Sequence, residues 1–537
     1  MVILVRILLP TLFLQIFAGF CASVPALAAG ERRFDVLEYV IEGNSVLPQI
    51  DLERAVYPHL GPAKGLTDLE MARTALEKAY HDAGYLTVLV DIPEQKVTEG
   101  TVQLRVIEGR VERLKVAGNR YHSRDEIRAG APSLAPGEVP NFSDAQKDLA
   151  ALSRTPDRRV TPLLRPGRAP GTVEVELRVN DELPLHGSVE LNNKQSPDTT
   201  ARRFEAALRY DNLWQKGHSA GLSFQNSPLN TDQVEVLTGT YSVPLDIGTL
   251  AGYVVASDSN LATAASTTVL GKGTTVGLRY IRPLPGRGSY FHSLAAGLDI
   301  KDFDETTNLI GADTANKPIR YVPFGLQYTG GVAGEQVQWQ FNLGATWSLR
   351  GFSDRTLVCD DGLPHDQFDC KRSGAKSNFA VLRGDLQRSQ SLGGGWDLTA
   401  RFDFQAASQP LVSNEQFAAG GVDSVRGYLD AERTGDDALR ARVELRTPAL
   451  WPESGIETRL LGFFDWASLR VQQPDPGQES SFAIGSWGVG LRLRDSNGIR
   501  LALDLAQALR KGADDAAGAP RTKKNDTRLH VRMGYEF

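Results

Sequence analysis

From Leu185 to Phe537 apolar and polar residues alternate with a period of two, segment after segment. Phe204, Ala206, Leu208 and Tyr210 alternate with polar neighbours, and so do Val337, Trp339, Phe341, Leu343, Ala345 and Trp347. The pattern returns in Leu439–Leu445, Trp487–Leu493 and Ile499–Leu505, and again in Leu529, Val531, Met533, Tyr535 and Phe537. Successive side chains of a strand point to opposite faces, so each segment carries one apolar and one polar face. About 16 such segments can be placed, an even number, as a closed antiparallel barrel in an outer membrane requires.

The connections separate a barrel from a soluble β-sandwich. Every second link is short and turn-like: Leu213–Gly217, Pro244–Gly248, Pro283–Gly288, Ser391–Gly395 and Asp495–Gly498. The links between them are longer and polar, at 258–271, 300–317, 348–374, 408–436, 468–483 and 508–526. Short turns on one rim and long loops on the other are the outer-membrane arrangement. The predicted fold over 185–537 is therefore an all-β transmembrane barrel with its apolar faces against lipid.

The opposite faces line the lumen. Strand 12 points Arg440, Arg442, Glu444 and Arg446 inward. Strand 14 adds Arg492 and Arg494, strand 15 Arg500 and Asp504, and strand 16 Arg528, His530 and Arg532. Any water-filled barrel is polar inside. Mixed charges can also hold elements folded into the lumen, and they offer no apolar surface to a passing chain.

The N-terminus predicts export. Arg6 precedes an apolar run from Ile7 to Phe20, and Ala26-Leu27-Ala28 supplies small residues for cleavage, so residues 1–28 read as a signal peptide. No later run approaches the roughly 18 apolar residues of a spanning helix. Cys359 and Cys370 share a polar segment of the fifth long loop, and in an oxidising compartment a disulfide is favoured over a metal site. No metal or cofactor is expected. The net charge of −6 is mild and no basic patch is concentrated, which argues against a nucleic-acid partner. His-Glu-x-x-His does not occur and the Ser and His residues are scattered, so the chain does not read as an enzyme.

Between Phe34 and Pro184 the chain repeats itself once. Val40-Ile41-Glu42-Gly43-Asn44 matches Lys115-Val116-Ala117-Gly118-Asn119, and Gly100–Val106 matches Gly171–Leu177. Each copy, 34–109 and 110–184, has about 75 residues, enough for a small domain. Each reads as strand, helix, helix, strand, strand. Thr67-x-x-Glu70 is a capping box for a helix running to Asp82, and Ser123-x-x-Glu126 and Ser143-x-x-Gln146 open helices of the second copy. Leu86–Val90 and Val102–Ile107 would close the first copy. No cluster of acids, histidines or nucleophiles recurs at a fixed place in both copies, so the pair reads as docking modules or spacers. An exposed edge strand in such a module can accept an extended peptide.

This element order, with Gly-Asn after the first strand, resembles the polypeptide-transport-associated (POTRA) domain. Two such modules, then a 16-stranded barrel, then Val425-Arg426-Gly427-Tyr428 in the sixth long loop resemble the two-partner secretion transporters of the outer membrane. That family, the ShlB/FhaC/HecB type, belongs to the BamA-like superfamily. Asn192–Pro197 and Arg209–Trp214 also resemble the family's first strands, and terminal Phe537 resembles the signal read by the barrel-assembly machinery. In the family the loop arginine reaches into the barrel and pairs with the aspartate of a Phe-x-Asp-x-Gly strand. Here that strand reads Phe463-Phe464-Asp465-Trp466-Ala467, with Ala467 in place of the glycine. Period two puts Phe463, Asp465 and Ala467 on one face, and Leu460, Phe464 and Trp466 are the better lipid face, so Asp465 is expected in the lumen. The resemblance implies an Arg426–Asp465 ion pair that anchors the loop tip.

The resemblance also implies a function: moving an unfolded partner protein, a large β-helical exoprotein of haemolysin or adhesin type, from periplasm to cell surface. The modules would sit in the periplasm of a Gram-negative bacterium. Some members carry a plugging helix before the first module. Cleavage after Ala28 leaves too few residues before Phe34 for one, which makes the sixth loop the expected main obstruction. The rival readings are a barrel-assembly factor, for which two modules are few, and a passive porin or receptor barrel, which leaves the modules unused.

Overall fold

The computed structural model describes residues 33–537 apart from 156, 260–261, 265–266, 270–271, 308–314, 360–361 and 516. The signal-peptide segment 1–28 and residues 29–32 lie outside the described residues. The chain divides into two compact units, one built from the repeat and one from the barrel.

The two copies of the repeat share one topology. In the first, Glu38–Glu42 runs parallel to Thr101–Ile107, which pairs antiparallel with Leu89–Asp91. In the second, Arg110–Ala117 runs parallel to Thr172–Asp181, which pairs antiparallel with Arg158–Pro166. A parallel pair needs a crossover. It is supplied by helices α1 (Gln49–Val56) and α2 (Leu66–Asp82) in the first copy and by α3 (Arg124–Ala129) and α4 (Phe142–Leu152) in the second. Leu52, Val56, Leu76 and Tyr80 pack on Val90, Leu104 and Val106. Ile127, Ala145 and Leu152 pack likewise on Val160, Val175 and Leu177. The recurring glycines have one physical cause. Gly43 and Gly118 both sit at φ +88°, and a Cβ there would run into the carbonyl oxygen of Val106 or Val179 on the neighbouring strand.

Local details differ from the sequence reading. Helix α2 begins at Leu66, one residue before Thr67, and its cap is the backbone N–H of Gly65 donating to Asp68 Oδ2 at 2.8 Å. Helix α4 is capped by Asn141 rather than Ser143: Asn141 Oδ1 accepts from Ser143 N at 3.0 Å. Asn141 Nδ2 also donates to the carbonyl of Ala83 at the end of α2, at 2.9 Å, so one side chain ties the two modules. Ser123 does cap α3, accepting from Glu126 N at 3.1 Å. The predicted strand from Leu86 is shorter and starts at Leu89.

The second unit is a closed antiparallel barrel of sixteen strands. The eighth strand is broken into Ala315–Tyr321 and Pro323–Ala333, both paired with the seventh, Tyr290–Thr307. The sixteenth, Thr527–Glu536, pairs with the first, Leu185–Asn192, and Phe537 exchanges two backbone hydrogen bonds of 3.0 Å with Gly187. Leu222, Leu386, Leu460, Phe464, Trp487, Val489 and Met533 are exposed on the outer face, the apolar band a bilayer covers. Among the described residues no helix is long and apolar enough to cross a membrane; the crossing is made by strands. One turn breaks the strict parity of short links. Strands twelve (Asp437–Arg446) and thirteen (Ile456–Arg470) are joined by 447–455, lengthened by Pro448 and by the short helix Pro452–Ser454.

Candidate functional site: a loop held inside the barrel

The sixth long loop connects strand eleven (Trp396–Ala407) to strand twelve and folds into the lumen. A small hairpin, Phe417–Ala419 with Arg433–Gly435, forms its stem, and its tip carries the Val-Arg-Gly-Tyr tetrapeptide. Val425, Arg426, Gly427 and Tyr428 are all buried, Arg426 to 1 % exposure.

The barrel wall supplies a partner for each tip residue. Arg426 faces strand thirteen, where alternation turns Phe463, Asp465 and Ala467 inward and leaves Leu460 and Phe464 exposed outside. Arg426 Nε lies 2.7 Å from Asp465 Oδ2 and its second terminal nitrogen 2.8 Å from Oδ1, a two-pronged pair. The remaining terminal nitrogen reaches Glu444 at 3.1 Å and Asp504 at 3.5 Å. The guanidinium lies 3.4 Å from the centre of the Phe463 ring, a cation–π contact. The backbone N–H of Gly427 donates to His530 Nε2 at 3.0 Å. Tyr428 Oη lies 2.9 Å from the carbonyls of both Gly485 and Arg510 and accepts from their backbone N–H groups. Val425 and Tyr428 share an apolar cluster with Ala438, Ala467, Ile484 and Ala508. Ala467 is fully buried in that cluster.

The arginines read as lumen wall are largely engaged with acids or with the loop. Arg442 contacts Asp465 at 3.4 Å and the carbonyl of Asp423 at 2.9 Å. Arg440 bridges Asp403 at 2.9 Å and Ser424 at 3.0 Å. One terminal nitrogen of Arg492 contacts both oxygens of Asp504 at 2.8 and 2.9 Å, Arg446 pairs with Glu444, and Arg532 reaches Asp423 of the loop at 3.2 Å. Arg494 faces the open part of the lumen, a cavity of about 830 Å³ also lined by Glu190, Glu205 and Arg500. The wall is thus charged, and much of its charge is spent on holding the loop.

Sequence reasoning missed how far the fifth loop also folds inward. The sequence predicts an external polar segment there, yet Gln367, Phe368, Cys370 and Lys371 are buried. Cys359 and Cys370 are joined by a disulfide, Cα atoms 5.3 Å apart. The sixth loop is therefore not alone in obstructing the lumen. The only signal was an isolated Phe in a polar loop, which has no periodicity to place it.

Residues 171–493 match the family described as haemolysin secretion/activation protein ShlB/FhaC/HecB, and residues 34–109 match the POTRA domain of ShlB type. The outer membrane transporter CdiB of Dickeya dadantii (strain 3937) is 23% identical over 477 residues, 86% of this chain and 81% of that protein. The heme/hemopexin transporter protein HuxB of Haemophilus influenzae is 20% identical over 485 residues, 87% of this chain and 82% of the other. Among solved structures, CdiB from Escherichia coli superposes with a TM-score of 0.65 at 17% identity, covering 96% of this chain and 93% of that one. BamA from Haemophilus ducreyi lacking POTRA domains 1–3 gives 0.53 at 15% identity, over 94% of this chain and all of the other. These likenesses carry the fold.

Proposed function

The chain belongs to the haemolysin secretion/activation family of ShlB, FhaC and HecB, and from that premise we propose how it moves its cargo. The family is one of two-partner secretion transporters: this protein is an outer-membrane transporter, its modules in the periplasm, that secretes a partner exoprotein. No catalytic step is assigned to it. The cargo crosses as an unfolded chain through the polar lumen, and loop 6 is the element it must displace. The observation that carries this reading is the two-pronged pair of Arg426 with Asp465, both buried, inside the passage. A buried pair need not add net stability, but it specifies one position for the loop tip.

The modules 34–109 and 110–184 capture an extended signal region of the cargo. The edge strand Glu38–Glu42 borders a groove of about 480 Å³ shared with α1, lined by Tyr39, Ile41, Leu52, Val56 and Tyr57. Strand addition there would satisfy the free backbone edge while the groove takes alternate side chains. No phosphate loop occurs in the sequence, so folding of a β-helical cargo outside supplies direction. Phe537, zipped to the first strand, is read by the assembly machinery during biogenesis. The test is secretion by Arg426→Ala and Asp465→Ala, with barrel folding followed separately by heat-modifiable gel migration. Normal secretion from both folded variants removes the lock from the mechanism.

A further inference from the structure

Loop 6 is held a second time, on a sector of wall its tip does not touch. Glu415, at the end of the short helix Ser413–Glu415 that leads into the stem, is 2% exposed. Lys301 of strand seven lies 2.5 Å from its Oε1, the Tyr321 hydroxyl of strand eight donates to the same oxygen at 2.8 Å, and Arg383 of strand ten (Ala380–Gly393) reaches Oε2 at 3.2 Å. Arg383 also donates to the backbone carbonyl of Glu415 at 2.7 Å. The acid thus meets two cations and a hydroxyl, all from the wall.

Around this point the lumen wall is apolar, contrary to the usual polar interior. Val236, Val255, Phe303, Ile319 and Val381, from strands four (Val234–Leu245), five (Gly248–Ser259), seven, eight and ten, form a buried cluster with Phe368 of loop 5 and Leu411 and Val412 of loop 6. Loop 5 is fixed to the eighth strand by Gln367, whose side chain accepts from Arg320 N at 3.0 Å and donates to Arg320 O at 2.7 Å, as a neighbouring strand would. Arg372 then joins the two loops. Its guanidinium forks onto both oxygens of fully buried Asp436 at 2.5 and 2.7 Å and donates to the carbonyl of Leu411 at 2.5 Å. Loop 5 and the stem of loop 6 therefore form one body with an apolar underside.

We propose that this body is a lid at the loop end of the barrel, and that Glu415 is its latch, a second lock on loop 6 separate from Arg426–Asp465. Displacing the lid bares an apolar ring to water and strands Glu415 away from Lys301 and Arg383, so both terms favour closure. A cargo that frees only the Arg426 tip leaves loop 6 still held at Glu415, so closure is weakened and not abolished. The inference rests on reading the lumen as a gated conduit, and the experiment separates the two.

Full-length Glu415→Gln, Arg426→Ala and the double variant are compared for influx of nitrocefin into whole cells with a periplasmic β-lactamase, per folded barrel. Two locks on one loop predict a several-fold rise for each single variant and, for independent sites, a double variant near the product of the two. A rise in Arg426→Ala with Glu415→Gln at the wild-type level overturns the second lock and spares the conduit; no rise in either overturns the conduit itself. A purely structural Glu415 would lower the yield of folded barrel and leave influx per barrel unchanged, which also overturns the proposal. The second arm places Lys301→Cys with Glu415→Cys in a Cys359→Ser, Cys370→Ser chain. Oxidation is expected to stop cargo secretion and reduction to restore it. Secretion through the crosslinked barrel at the reduced rate overturns the lid.

Discussion

Arg426 and Asp465 meet through two parallel hydrogen bonds, at 2.7 and 2.8 Å, within a larger field of charge: Glu444 and Asp504 on the arginine's far side, Arg442 on the aspartate's. The two ends of the pair are therefore not interchangeable. Exchanging them, as Arg426→Asp with Asp465→Arg, puts a carboxylate beside Glu444 and Asp504 and a guanidinium beside Arg442. Like charges so placed cost free energy that the restored pair does not return. The double exchange is expected to secrete no better than Arg426→Ala. Arg426→Lys, which keeps charge but not the fork, should fall between wild type and Arg426→Ala. Cargo in the medium, per folded barrel, is the measurement; full rescue by the exchange would mean the surrounding charges do not act on the pair.

Glycines at positive φ divide into two kinds by what a methyl group would meet. At Gly427, φ +91°, the nearest atoms are Ala506 Cβ at 3.4 Å and Ala508 N and Ser486 Cβ at 3.5 Å, ordinary contact. Gly427→Ala then costs mainly the left-handed backbone, about 1–2 kcal/mol. Gly43→Ala adds a clash with the backbone oxygen of Val106 on a central strand, which cannot move without breaking the sheet. Limited proteolysis of the full chain should show the first module cut in Gly43→Ala and intact in Gly427→Ala. Equal protease resistance would refute the distinction.

Strand alternation made the barrel legible because lipid and lumen impose opposite polarity on adjacent residues, and Phe463, Asp465 and Ala467 inherit their face from that rule. Loop 5 and Glu415 had no comparable signal. Val236, Val255 and Val381 point into the lumen although they are apolar, and a single apolar residue on the inward face reads as noise in the alternation. What makes them a site is Phe368 and Leu411, which are far away in sequence and lie in segments without period. Helix caps failed for a simpler reason: Asn141 and Ser143 are both good capping residues, and the contact of Asn141 with Ala83 selects between them only in three dimensions.

The disulfide closes a loop of sequence separation 11, for which chain entropy gives a stabilisation of about 3 kcal/mol. Phe368, Gln367 and Arg372 hold loop 5 through contacts that do not involve the cysteines. Cys359→Ser with Cys370→Ser is therefore expected to fold a normal barrel and to loosen only loop 5. Hydrogen exchange in 356–372 should accelerate while the strands keep wild-type protection. Loss of strand protection would show that the bridge supports the barrel itself.

Asn141 holds two helix ends at once, accepting from Ser143 N and donating to Ala83 O. Asn141→Ala loses a cap worth about 1 kcal/mol and also the side-chain tie between modules. Asn141→Ser keeps the cap but cannot reach across. Spin labels on α2 and α4 of the full chain should report a broadened distance distribution for both variants, with helix α4 less stable only in the alanine. A sharp distribution in the serine variant would place the tie elsewhere.

Glu112 gathers the turn at 167–172 in the second module. Its Oε2 accepts from Thr172 Oγ1 at 2.9 Å and from the backbone N–H groups of Arg168 and Ala169 at 2.7 and 3.2 Å. The bond from Thr172, then those from Ala169 and Arg168, hold its carboxyl below the usual range. A depressed folded pKa means that the contribution is complete above the pKa of an unfolded glutamate, about 4.3, and is lost as pH falls through the lower folded value. The carboxylate is exposed, so the effect is local: amides of 166–172 should lose protection on acidification before the sheet does. Glu112→Gln should show that reduced protection already at neutral pH and flatten its acid dependence. An unchanged acid profile in Glu112→Gln would assign the loss to another group.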